Sequence, residues 1–452
     1  MKKGMPQKRS NWRDGSRLVR VWEVIPVNKS KAYRSISVKQ VDVEKILADH
    51  LHQPVEAGLD IGKQSIWTVI RFRDGSYLRP WRAANPAEVN LLVGLLKQVS
   101  QQAKLTVAME SSGTYGDALR QALSNAGLNV HRVSSKASHD WSEVFDGVPS
   151  QHDGKDAAVV AELCAMGKSV PWRFEPQGEL EQQMHYWVDQ LDAAHRLQQV
   201  WIGRLESRLV RHWPEVCVVL KLSSPTLLKA LKQWASPTAL AGDPQAAARL
   251  RRFSHAMLED QTIDRLINEA RQSVGVAMGR WEQRRMREDA QAALSAHRQK
   301  RAASKRLREL GSGHELLPAL GEVVGLPSAC VLWVSLGDPR RYGSGAAYRK
   351  AMGLNLAERS SGMHQGELHI SKRGKSLPRR FLYFAALRYA SKEPVRQWYL
   401  RKKQRDQQEG MRGIVAIMRK LPLALWTVAQ GERFDPLRLF KSVVNEERTI
   451  KA

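Results

Sequence analysis

The stretch "VEAGLDIGKQSIWTVIRFR" (residues 55–73) decides how the rest of the chain is read. Apolar residues at every second position make "VEAGLDIG" a strand, Gly62 and Lys63 a turn, and "SIWTVIRFR" a second strand. One acidic residue, Asp60, stands among apolar neighbours in the first of them. In a chain with a formal charge of +27, a carboxylate there has two readings. It is a solvent-facing strand residue, or it is a cation ligand beside a nucleic-acid site.

Working outward, "DG" (74–75) signals a hairpin and "SYLRPWRA" (76–83) a third strand. "NPAEVNLLVGLLKQVSQQ" (85–102) has helical spacing, with Asn85 as cap and Pro86 at the first helical position. "KLTVAMES" (104–111) is a fourth strand, "TYGDALRQALSNAGL" (114–128) a helix closed by Gly127, and "NVHRVSS" (129–135) a fifth strand. A linker containing Trp141 leads to "HDGKDAAVVAELCAMGKSV" (152–170), a helix ending near Gly167. Three hairpin-joined strands followed by alternating helices and strands predict an α/β, RNase H-like domain over 55–172 rather than a doubly wound dinucleotide fold.

Residues 1–54 form a basic N-terminal extension, with a short strand expected in "SRLVRVWEVIPV" (16–27). Residues 178–310 carry two helical patterns longer than ordinary helices, one over 179–212 and one beginning near 257. They predict a helical hairpin or coiled-coil connector, interrupted by a proline-rich insertion at 214–253. A mainly helical C-terminal domain follows at 314–400, and then a basic tail at 401–452.

The pI near 10.2 and the excess of cations direct the chain toward phosphate backbones or anionic surfaces. No run approaches the roughly 18 apolar residues of a membrane span, and the basic N-terminus lacks the apolar segment of a secretory signal. Cys164, Cys217 and Cys330 are far apart and odd in number, which fits neither a disulfide framework nor a zinc cluster and suits a reducing cytoplasm. Nucleic acid is the expected partner.

Four carboxylates stand out by position. Asp60 lies in the first strand, Glu110 ends the fourth, and Asp153 and Asp156 are three apart, on one helical face. Hard oxygen ligands of this kind hold Mg²⁺, and two ions close together serve phosphodiester chemistry. Without cations the same carboxylates repel and raise one another's pKa values. Each also has a plain reading: Asp60 at the surface, Glu110 capping the next helix, Asp153 or Asp156 complementing the positive end of its own helix.

Here the chain resembles the DEDD-type transposases of bacterial insertion sequences, the group of bridge-RNA-guided recombinases. "GLDIGK", "MESSGTYG" and "HDGKDAAVVAEL" look like its three acidic motifs, which implies catalytic and metal-binding roles for Asp60, Glu110, Asp153 and Asp156. His152 stands where the family usually has threonine. The resemblance implies a fold like that of Holliday-junction resolvases (RuvC-like). "SSGMHQGELHISKRGKSLPRRFLYFAALRYA" (360–390) resembles the family's serine signature. It implies Ser361 as a nucleophile on DNA, with Ser360 the adjacent alternative. It further implies Mg²⁺, element-end and target DNA, a noncoding bridge RNA, a dimer or dimer of dimers, and a location at the bacterial nucleoid.

Residues 371–405 hold twelve Lys or Arg against one acid, Glu393. Lys372, Arg373, Lys375, Arg379, Arg380 and Arg388 are therefore expected to meet phosphates, whereas the spacing of Phe381 and Phe384 places them in a helix core. Two rivals stay open: a metal-dependent junction nuclease using the acids alone, and a non-catalytic basic nucleic-acid-binding protein.

Overall fold

The computed structural model describes residues 11–14, 17–20, 34–48, 50–111, 113–147, 152–358, 366, 368–407 and 410–440. The chain divides into two compact units, Met1–Pro176 and Gln177–Ala452.

The first unit is built on β1 (Pro54–Ile61), β2 (Ser65–Phe72), β3 (Trp81–Ala84), β4 (Lys104–Glu110) and β5 (Asn129–Val133). β1 runs antiparallel to β2, and β2 antiparallel to β3. β4 joins the other side of β1 in parallel, and β5 joins β4 in parallel. The spatial order of these five is thus 5-4-1-2-3. Short strands extend the edges: Ser169–Pro171 beside β5, Ile36–Ser37 beside β3, and Tyr77–Leu78 beside β2 with the Asn11–Asp14/Arg17–Arg20 hairpin beyond it.

Alternation sorts each strand into two faces. Val55, Ala57, Leu59 and Ile61 of β1 join Val107 and Met109 of β4 in a core with α1 (Val89–Gln102) and α2 (Asp117–Asn125), through Leu92, Leu96, Leu119 and Leu123. The opposite face is covered by α3 (Ser135–Asp146) and α4 (Asp153–Ala165), where Ala108 and Val133 pack with Val159, Val160 and Leu163. Here Gly58 is decisive: a Cβ at this position would lie 2.0 Å from the Ala157 carbonyl oxygen and 2.4 Å from the Ala161 nitrogen. Its absence lets α4 lie directly on β1.

Several expectations are revised. Asn85 caps nothing; α1 begins at Val89, and the Asn85 amide instead donates to the Gly62 carbonyl at 2.9 Å, tying the β1–β2 turn to the end of β3. The third strand is split at Pro80, which lacks the N–H that pairing requires. The linker around Trp141 is the helix α3.

The second unit is helical. α5 (Glu179–His212) and α9 (Arg280–Ser312), 34 and 33 residues long, lie along each other. The long second helix starts at 280, not near 257, because the pattern breaks at residues 272–279. There Glu215 accepts from the Val274 N–H and the Ser273 hydroxyl, and Gly275 sits so close to the His212 carbonyl that a Cβ would be 2.1 Å from its oxygen. Between the two long helices, α6 (Pro225–Trp234), α7 (Ala246–Ser254) and α8 (Asp260–Arg271) close a small core around Trp213, Leu227, Leu231, Leu266 and Met286. At the other end, Val188, Leu191, Ala303 and Leu307 of the long pair join a larger core. That core takes in α10 (Leu317–Val324), α11 (Leu326–Leu336), α12 (Gly345–Ala351), α13 (Ser376–Ala390), α14 (Val395–Arg405) and α15 (Gly410–Ala429).

The segment expected as a basic tail therefore contributes a core helix: Ile417, Leu421 and Leu425 of α15 are fully buried. Its local composition is basic only up to about 420, and the apolar stripe beyond is what packs. Among the described residues no single helix is long and apolar enough to cross a membrane.

Candidate active site

The four acids are brought to one end of the first unit's sheet by two strands and a helix. The parallel register pairs Leu59 with Met109, so Asp60 and Glu110 come next to each other at the carboxyl ends of β1 and β4. Asp60 shares the strand face of Gly58, two residues away, and so points to the side on which α4 lies. α4 starts at the same end, with Asp153 exposed and Asp156 half-buried in its first turn.

Electrostatics register this convergence. Burial first, then the charges of Asp156, Asp153 and Glu110, push the Asp60 carboxyl up to about 6. Asp156 is raised too, by burial and then by Asp153, with Glu110 adding to it. Lys155 and His152 act in the opposite direction on Asp156. Of the two, only His152 carries a signal in the sequence; Lys155 reads as a spacer in "HDGKD". Lys155 is 1% exposed and holds Asp146 of α3 at 2.7 Å, so α4 carries a buried cation next to its acids. His152 is the N-cap of α4: its Nδ1 accepts the Gly154 N–H at 3.1 Å, and its ring meets Trp67 edge-on at 5.4 Å. It thereby fulfils the capping role open to a threonine.

On the other side of α4, Glu162 accepts from Arg71 Nε at 2.5 Å and from the Tyr77 hydroxyl, fastening the helix to β2 and its neighbour. Neither Arg71 nor Tyr77 carries a sequence signal for this, because their partner is about ninety positions away.

Carboxylates of this kind are oxygen donors suited to Mg²⁺ or another hard divalent ion, and the raising of Asp60 and Asp156 by burial and by neighbouring acids is what such a charge relieves. Among the described residues, no three acid, His or Cys side chains yet stand close enough to hold an ion as they are. The donor set fits the group in type and charge.

Ser361 and Ser360 lie outside the described residues. Their flanks are antiparallel, Leu356 opposite Ile370 and Ala357 opposite His369. Of the six cations expected at phosphates, Lys372, Arg373 and Lys375 are exposed. The Arg379 guanidinium donates to the carbonyls of Met352, Gly374 and Lys375, Arg380 pairs with Asp192, and Arg388 donates to the Val324 carbonyl at 2.6 Å, at the end of α10. Phe381 packs against the core, and its ring meets Phe384 edge-on.

An acid-edged α/β domain joined to a basic helical body has the makings of a nucleic-acid-processing enzyme. Two family profiles fix the identity further: a DEDD transposase of the IS110 type over residues 57–213, and the transposase family IS116/IS110/IS902 over residues 322–401. The chain belongs to the IS110 family of DEDD transposases and is a DNA-processing enzyme that binds DNA. No curated protein matches it.

Proposed function

We propose that this transposase excises and inserts its element by DNA cleavage and strand exchange, using Asp60, Glu110, Asp153 and Asp156 together with Ser361. The observation that carries the reading is the shared electrostatics of the four acids: burial and the three other charges together raise Asp60. The strand order 5-4-1-2-3 supports an RNase H-like, RuvC-like assignment for this domain, with the acids at the carboxyl ends of its central parallel strands.

The four carboxylates would hold Mg²⁺, which when bound withdraws charge from a scissile phosphate. The chain's own residues do the rest. Lys155 offsets part of the upward push on Asp156 and, through Asp146, ties α4 to α3, and Glu162 holds that helix on the sheet. The Ser361 hydroxyl attacks the phosphorus; the Ser361 oxygen–phosphorus bond forms as the bond to the DNA 3′-oxygen breaks. The serine proton is passed on and the leaving strand departs as a 3′-hydroxyl. In the reverse step the 3′-hydroxyl of a second duplex attacks the same phosphorus and releases the serine, so no nucleotide hydrolysis is required. Exposed Lys372, Arg373 and Lys375 would neutralise phosphates of the bound strand. Sequence choice would lie in a noncoding bridge RNA paired with donor and target strands. The coiled-coil-like long helices would join protomers into a dimer or a dimer of dimers, a state read by light scattering.

The test is incubation of the protein with element-end DNA, flanking RNA and Mg²⁺, followed by denaturing electrophoresis. A protein–DNA adduct that disappears with Ser361→Ala is expected. Cleavage persisting without an adduct would favour a junction nuclease that uses the acids alone.

A further inference from the structure

In the second unit, α6, the end of α7 and one face of α9 enclose an open cleft of about 680 Å³, within the range of ligand-binding sites. It lies in the insertion between the two long helices. Its lining holds Lys229, Lys232, Arg298 and Arg301 with His255 and His297, and no Asp or Glu. Four arginines nearby, outside the lining, are in ion pairs: Arg249 with Asp243, Arg251 with Asp260, Arg265 with Glu269, Arg284 with Glu288. Lys232, Arg298 and Arg301 are exposed, and none of the three is in an ion pair among the described residues.

Two further features favour an anion. Pro225 and Thr226, the first turn of α6, line the cleft, and Ser224 provides no side-chain cap, so the partial positive charge of that helix end lies beside it. His297 is prepared as a donor. Lys300 Nζ donates to Gln198 Oε1 at 2.6 Å, which orients the Gln198 amide to donate to His297 Nδ1 at 3.3 Å. Burial, with Lys300 and Arg301, holds this imidazole below its ordinary pKa, so the neutral ring carries its proton on Nε2. The floor is apolar: Phe253, Leu294 and the Pro225 ring. Lys229 is committed to structure, donating to the Phe253 carbonyl at 2.9 Å and so tying α6 to the end of α7.

We propose that this cleft is a second nucleic-acid site, in the other unit from the acid cluster. It takes an unpaired strand with its phosphates on Lys232, Arg298 and Arg301 and a base against Phe253 and Leu294. Cations beside an apolar stacking floor suit a single strand better than a duplex, whose bases are already stacked. The proposal stands whether or not the acids cleave DNA.

The test is fluorescence anisotropy in EDTA with labelled single-stranded RNA and DNA of about 15 nucleotides, from about 50 to 200 mM salt. The triple variant K232Q/R298Q/R301Q is expected to bind more weakly, with the slope of log K against log salt shallower by about 2, since each strand phosphate contributes about 0.7. Each single variant should lose about a third of that. A loss confined to the RNA arm assigns the cleft to RNA, one confined to the DNA arm assigns it to DNA, and either supports the site. The control R265Q/R271Q/R284Q, outside the lining, should keep the parent slope. Equal slopes for the cleft triple and the parent would overturn the proposal. So would equal losses in both triples, or a poly-glutamate peptide competing as well as the oligonucleotides.

Discussion

Asp60 is the residue whose state the account explains most directly. Its carboxyl is pushed up to about 6 from an ordinary value of 3.8, by burial first and then by Asp156, Asp153 and Glu110. Between these two values the folded protein holds a proton that the unfolded chain has released, so stability falls as pH rises through that window. In EDTA, urea denaturation should give a lower midpoint at pH 7.5 than at pH 5 for the parent. Asp60→Asn should remove much of that difference and be the more stable of the two at pH 7.5. A parent at least as stable at pH 7.5, with the variant parallel to it, would mean that burial and the neighbouring acids do not raise Asp60. The positions of these acids were legible in the sequence, since each falls at a strand end or helix start that the pattern already marks. The cations and caps that serve them were not. Lys155 looks like a solvent residue until α3, itself read as a linker, brings Asp146 to it at 2.7 Å.

At the scale of elements, the close seat of α4 on β1 places Asp153 and Asp156 over Asp60. Gly58→Ala would set a Cβ 2.0 Å from the Ala157 carbonyl oxygen, a backbone atom that moves only with its helix. The expected cost is about 1–3 kcal/mol in chemical denaturation, with loss of DNA cleavage beyond what the remaining folded fraction explains. An unchanged midpoint would show that α4 does not sit there. Long periodic segments were readable: five central strands and both long helices come from alternation and 3.6-residue spacing. What was not readable depends on partners far along the chain. The break at 272–279 is made by Glu215 and the His212 carbonyl, and α15 becomes core only because α12, α13 and α14 offer a surface for its apolar stripe. Pro80 shortens its strand by removing one N–H, a signal visible in "YLRPW" and overridden there by the surrounding β-formers.

The whole molecule joins an acid-bearing α/β unit and a basic helical unit in one DNA-binding transposase chain. The helical unit's larger core ties the serine-bearing segment's flanks to the ends of the long pair, and its smaller core carries the cleft proposed for an unpaired strand. The acids gather at the carboxyl ends of the first unit's central strands, and cations without carboxylate partners line the cleft of the second. The central claim is that Asp60, Glu110, Asp153 and Asp156 act as one divalent-cation cradle for DNA cleavage. The most direct measurement is single-turnover cleavage of element-end DNA across a Mg²⁺ titration, for the parent and for Asp60→Asn, Glu110→Gln, Asp153→Asn and Asp156→Asn. The account predicts no cleavage in EDTA, recovery with Mg²⁺ in the parent, and a rate loss on the order of a hundredfold or more in every variant, with DNA binding retained. Parent-like rates in the four variants, or undiminished cleavage in EDTA, would contradict it.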